Sequence, residues 1–169
     1  LEGVEVRTNE RLYGRWESVA DRLVYTGKID EFFGYKHGDL DYLTLNFDTK
    51  VMDGDFQGTS LMGYPQYEVP YTRITEHKHF EYMESDKTVV TWEYPVPYKR
   101  GMVPDYPVVD KSNTEKYQLY VQEKAGLDNI VFGGRLATFK YYDMHQVIAA
   151  ALVAAGKELG EEWTSVCTS

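Results

Sequence analysis

The alternation of apolar and polar positions changes period twice along the chain, and those changes predict its organisation. "VEV" at 4–6 is a short strand candidate, and "RLVYTG" at 22–27 reads as a buried strand stopped by Gly27. "KIDEFFGY", 28–35, predicts one short helical turn. From Leu40 the period becomes two. In "DYLTLNFDT", Leu43, Leu45 and Phe47 share one face, and Tyr42, Thr44 and Asn46 share the other. "DGD" at 53–55 marks a turn, and "QGTSLMGY" and "YTRITEHKHF" continue as strands. "KTVVTWEY", 87–94, sets Val90, Trp92 and Tyr94 against Val89, Thr91 and Glu93. Successive period-two runs joined by short turns favour an antiparallel sheet.

The second change follows "YPVPYKRGMVPDYP", 94–107, an extended loop holding four of the six prolines. "SNTE", 112–115, has the form of a capping box. It predicts a helix to about Lys124, with Tyr117, Tyr120 and Val121 on one face and a stop at Gly126. "NIVF", 129–132, reads as a buried strand. From Asp143 the period is helical, and Met144, Val147, Ile148, Ala151, Leu152, Ala155 and Leu159 form one apolar stripe. The expected class is α+β: α/β pieces at 1–36 and 112–160 flank an inserted antiparallel sheet at 37–111, and a frayed tail covers 161–169. Two such lobes would leave a cleft where they meet, a common place for a ligand.

Composition narrows the function. A chain of 169 residues, 43% of them hydrophobic, supports one ordinary domain or two small lobes with a real core. A net charge of −9 disfavours nucleic acid and membrane surfaces as partners, although a few local arginines still serve an anionic ligand. The 15 tyrosines suit sheet faces first, and also a pocket for a polar, partly flat ligand. Cys167 is the single cysteine, so no disulfide framework forms within one chain, and a reducing, cytoplasmic compartment fits. No apolar run approaches the ~20 residues of a membrane span. The start, "LEGVEVRTNE", carries no signal peptide; without Met, it reads as a piece of something longer.

The candidate chemistry concentrates in "NIVFGGRLATFKYYDMHQ". Paired glycines at a strand end allow close approach of a backbone or ligand. Arg135 supplies a permanent planar cation. Asp143 opens a helix whose free amides suit an anion or an electron-rich ring. The same pattern also describes a plain connector, in which Arg135 pairs with a surface acid and Asp143 only caps. Arg73 alternates in phase with Tyr71, and Glu93 is placed either to bind hydroxyls or to pair with an arginine. His77 and His79, two apart on one strand face, form a metal site only with a third ligand that nothing in the sequence marks, so no metal is expected. No Walker loop, Gly-x-Ser-x-Gly element or dinucleotide fingerprint is present.

The blocks "VYTGKIDEFFGYKHG", "EVPYTRITEHKHFEY", "TVVTWEYP", "DYPVVD" and "NIVFGGRLATFKYYDMHQVIAAAL" resemble, in order and near spacing, those of bacterial UDP-galactopyranose mutases, from about Leu1 to Leu152. The resemblance implies the carboxy-terminal portion of an FAD enzyme that interconverts UDP-galactopyranose and UDP-galactofuranose for cell-surface polysaccharide synthesis. It implies covalent catalysis through a flavin N5–sugar intermediate. In that likeness Arg73, Arg135 and Glu93 are catalytic, and Tyr106 and Tyr141 join the two arginines on the diphosphate. Thr26, Gly27, Gly134, Arg135, Asp143 and Met144 contact the FAD, and 1–36 and 112–160 are pieces of the FAD lobe. Full-length members are often homodimers.

Four positions depart from the family's usual residues: Lys28 stands for Pro, Gly34 for Asp, Gly63 for Asn and Asp105 for Tyr. The family's amino-terminal dinucleotide-binding segment, helical lobe and mobile loop have no counterpart here. The chain alone is therefore expected not to hold FAD tightly and to be inactive. The competing readings are a non-catalytic nucleotide-sugar-binding module and an amine-oxidase-like flavoprotein; the latter leaves the "EHKHF" block unexplained.

Overall fold

The computed structural model describes residues 2–10 and 15–161, so Cys167 and all but the first residue of the expected tail lie outside the described residues. In chain order the elements are β1 (Leu23–Tyr25), α1 (Ile29–Phe32), β2 (Tyr42–Asp53), β3 (Leu61–Gly63), β4 (Arg73–Glu76), β5 (Lys87–Pro97), β6 (Tyr106–Pro107), α2 (Lys111–Lys124), β7 (Ile130–Phe132), α3 (Gly134–Ala137) and α4 (Met144–Leu159). The protein is mixed α/β and divides into two compact units. One is Leu40–Asn113; the other joins the residues up to Asp39 with those from Thr114 onward.

In the divided unit, β1 and β7 form a two-stranded parallel sheet, with Val24 opposite Val131. Its core is aromatic. Phe32 meets Tyr25 at 4.9 Å and Phe132 at 5.0 Å, and Phe33 stacks between Phe132 and Tyr120. Tyr120 of α2 is fully buried, and its hydroxyl donates to the Gly38 carbonyl at 2.7 Å. A buried tyrosine keeps a partner for its polar tip, which is why this aromatic rather than phenylalanine closes the α2 face. Asp110, not Ser112, caps α2: the Asn113 amide donates to Asp110 Oδ1 at 2.7 Å, leaving Ser112 inside the first turn. The "VEV" strand does not form. Val4 and Val6 are exposed, and no ladder reaches them.

The sheet unit is a curled, five-stranded antiparallel sheet in the order β3-β4-β5-β2-β6, built around the long β2–β5 pair. Its buried face carries Tyr42, Thr44, Ile74, Glu76, Thr88 and Val90. The face with Leu43, Leu45 and Phe47 is the open one; Phe47 is 61% exposed. "EHKHF" corrects the expected long strand. Pairing stops at Glu76, and His77–Phe80 form a single 3-10 turn, so His77 and His79 do not share a strand face.

That turn ties a loop to the sheet. The fully buried Glu76 carboxylate accepts from the amides of Phe56, Gln57 and Gly58 at 3.0, 2.8 and 3.1 Å, and from the Thr88 hydroxyl at 2.7 Å. Burial pushes this carboxyl upward, but the four donors outweigh it and hold it down at about 2. Lys78 joins Asp55 at 2.5 Å and the carbonyls of Gly54 and Ser85. Phe56 is thereby set edge-on against Trp92 at 5.4 Å.

Candidate functional site

Within the sheet unit, register brings three predicted residues to one face. Arg73 pairs across β4–β5 with Glu93, Glu93 lies opposite Phe47 on β2, and Leu43 of β2 lies opposite Tyr106 on β6. Directly opposed residues share a face, and alternation links Phe47 with Leu43, so Arg73, Glu93 and Tyr106 all stand on the open side. Arg73 Nη1 lies 3.8 Å from Glu93 Oε1, with side chains 45% and 14% exposed. That is an ion pair rather than a hydrogen bond, so it does not use up the arginine's donors. Tyr71 does not accompany Arg73 as its phase suggested. It precedes β4 and sits against Tyr64 and Tyr94, and alternation along β5 puts Tyr94 opposite Glu93.

In the divided unit, the residues after β7 form one cluster. Gly133 is extended, while Gly134 adopts φ +73, a left-handed conformation that glycine reaches without strain, and opens the short helix α3. A Cβ on Gly134 would stand 3.5 Å from Thr26 Cβ, so the two strand ends run close together. Gly27 is more constrained: a Cβ there would lie 2.6 Å from the Tyr25 hydroxyl, which donates to the Lys28 carbonyl at 3.0 Å. Burial, then the nearby carboxyls of Glu31 and Asp30, push the Tyr25 phenol well above its ordinary value, so it stays a donor.

Arg135 is tied to the segment that follows it. Its Nε donates to the Tyr142 carbonyl at 2.7 Å, and its guanidinium lies 5.6 Å from the centre of the Tyr141 ring. The bond across α3 aims the loop 139–142 and carries Tyr141, 61% exposed, to the start of α4. Asp143 caps that helix, and its amide donates to Gln146 Oε1 at 2.8 Å, completing a capping box. Met144, the first helical residue, is 78% exposed. The α4 stripe also departs from expectation. Ile148, Leu152 and Leu159 are exposed, and Gly156 is the buried residue of the helix.

Asp55, Glu76 and His79 bring ligand-type atoms within 4.8 Å of one another; His77, the other histidine of the expected pair, lies instead against the Thr91 hydroxyl at 2.9 Å. Lys78 already sets its ammonium on Asp55, and the Glu76 oxygens serve four donors, so the group is a loop anchor. Among the described residues no helix is long and apolar enough to cross a membrane.

Fold and site together define a class: a mixed α/β protein in which an antiparallel sheet interrupts an α/β unit, with an arginine placed beside acceptor or aromatic groups in each. The chain belongs to the UDP-galactopyranose mutase family, whose model matches residues 2–141. Asp143 and Met144 lie just past that match. The probable UDP-galactopyranose mutase of Klebsiella pneumoniae is 39% identical over 138 residues, 81% of this chain and 36% of the relative. The dTDP-fucopyranose mutase of Escherichia coli is 39% identical over 135 residues, 79% of this chain and 36% of the relative. The UDP-galactopyranose mutase of Mycoplasma pneumoniae is 33% identical over 159 residues, 90% and 39%. The chain thus spans little more than a third of the length of these curated relatives.

Proposed function

We propose that the chain is the carboxy-terminal portion of an FAD-dependent isomerase that interconverts UDP-galactopyranose and UDP-galactofuranose. The observation that supports this best is the Arg73–Glu93 pair on the Tyr106 face of the sheet, in a chain whose family match covers 2–141. Arg73 and Arg135 direct planar, permanently charged donors at the diphosphate, for which a guanidinium is well shaped. Tyr106 and Tyr141 add hydroxyl donors to it. Glu93, beside Arg73, accepts hydrogen bonds from the sugar hydroxyls.

The residues present fit the cofactor. Thr26, Gly27 and Gly134 give two side-chain-poor strand ends, and Arg135, Asp143 and Met144 mark a capped helix start with an exposed thioether side chain. These six would hold FAD, and the partial positive charge at that helix start favours an anionic reduced ring. When bound and reduced, the flavin supplies the electron pair that displaces UDP from the anomeric carbon of the sugar. The chain's own residues then have two tasks: to keep the departing diphosphate close, and to orient the opened sugar for reclosure.

The equal identity to the Escherichia coli dTDP-fucopyranose mutase makes a dTDP-sugar the competing substrate. The test is to purify the natural protein that carries this chain, reduce it with dithionite, and follow both nucleotide sugars by chromatography. Turnover of UDP-galactofuranose to UDP-galactopyranose is expected. Exclusive turnover of the dTDP-sugar would transfer the proposal to that substrate, and no turnover of either would end it.

A further inference from the structure

The strand that carries Tyr106 is only two residues long, too short to fix its own position by ladder bonds. Before it, Pro104 interrupts the chain and brings no amide to the sheet. Asp105 makes the attachment instead. Its amide donates to the Leu43 carbonyl at 2.9 Å, and its Oδ2 accepts from the Leu45 amide at 2.9 Å. The Thr44 hydroxyl lies 3.2 Å from the same oxygen and donates to the Val103 carbonyl. A carboxylate thus stands in for the backbone acceptor that a longer strand would offer to β2. Charge-assisted bonds of this kind are stronger than neutral ladder bonds. Alternation puts Asp105 and Thr44 on the buried side and Tyr106 on the open side with Arg73 and Glu93.

We infer that Asp105 is a positioning residue: its carboxylate clamps residues 103–106 to β2 and thereby fixes where the Tyr106 hydroxyl stands on the substrate face. This rests on Tyr106 contacting the diphosphate. A clamp of this type acts through Tyr106 alone, so removing both adds little to removing one.

The test uses the natural protein and UDP as the probe, with Asp105→Ala, Asp105→Asn, Tyr106→Phe and the Asp105→Ala/Tyr106→Phe double variant. Calorimetric titration gives the UDP Kd, and steady-state rates give KM and kcat. Tyr106→Phe and Asp105→Ala are each expected to weaken UDP about tenfold, the loss of one hydrogen bond to a charged group. The double variant is expected to be no weaker than either single one, with a kcat no lower than that of Tyr106→Phe alone. Asp105→Asn should recover most of the affinity, because its amide oxygen still accepts from Leu45.

Unchanged UDP affinity in Asp105→Ala beside a weakened Tyr106→Phe overturns the clamp alone, as does an additive loss of about a hundredfold. Unchanged affinity in Tyr106→Phe overturns the diphosphate role of Tyr106 and the clamp with it. Should Asp105→Ala not fold, Thr44→Val removes the hydroxyl bridge while leaving the Leu45 bond. A several-fold weakening is then expected, and none counts against the clamp.

Discussion

Replacing Glu76 with glutamine keeps the shape of the side chain and removes its charge. The carboxylate is fully buried and accepts four hydrogen bonds, three from amides of the 56–58 loop. Glutamine offers one acceptor oxygen and turns its NH2 toward donors. The folded carboxyl titrates at about 2 against an ordinary 4.5, which at about 1.4 kcal/mol per unit amounts to about 3 kcal/mol at neutral pH. The shift is downward, so this stabilisation is complete above the unfolded value of 4.5 and is lost as pH falls through about 2. Urea unfolding of wild type and Glu76→Gln, compared at each pH, cancels the titration of groups common to both. The variant should be about 3 kcal/mol less stable at pH 7, and only about 1.4 kcal/mol less stable at pH 3. A difference under about 0.5 kcal/mol at pH 7, or one that stays the same at pH 3, refutes the anchoring role.

Gly27→Ala brings a methyl to 2.6 Å from the Tyr25 hydroxyl and should break its bond to Lys28, costing about 1–3 kcal/mol in a urea melt; a neutral result would mean that the ring moves freely. Asp143→Ala removes the cap of α4 and should cost about 1 kcal/mol, with no change in the β1–β7 ladder by amide exchange. This chain expressed alone should lose flavin on gel filtration and show no mutase activity under dithionite; a retained flavin spectrum contradicts that expectation.

Much of the sheet was legible because period two is a local signal. The long β2–β5 pair and the faces of Val90, Trp92, Glu93 and Thr91 follow from alternation alone. Which face is buried did not follow. Leu43, Leu45 and Phe47 look like a core row, yet the core takes Tyr42, set edge-on against Tyr98, and Thr44, whose hydroxyl donates to the Val103 carbonyl, contacts that alternation cannot display. The "EHKHF" block failed as a strand because Glu76 serves donors from 18 to 20 residues earlier in the chain, a contact set by tertiary closure. The capping box at Asp143 was readable from spacing, whereas at α2 the cap is Asp110, which lacks the Glu or Gln three residues on that made Ser112 look like the start. Of the site, the Gly-Gly-Arg turn was visible as residue types. The bond from Arg135 to the Tyr142 carbonyl, which turns those types into a geometry, was not. Nor was the attachment made by Asp105, which the sequence marks only as a departure from the family's usual Tyr.

The central claim is that Arg73 and Arg135 act on the diphosphate sugar in a flavin-dependent mutase. The direct measurement is kcat/KM for UDP-galactofuranose in the dithionite-reduced natural protein and its Arg73→Ala and Arg135→Ala variants, with circular dichroism confirming that each is folded. A loss of about a hundredfold or more in each folded variant is predicted, the scale for removing a charged group that serves the transition state. Near-normal turnover in either variant would contradict the assignment of that arginine, and near-normal turnover in both would contradict the account.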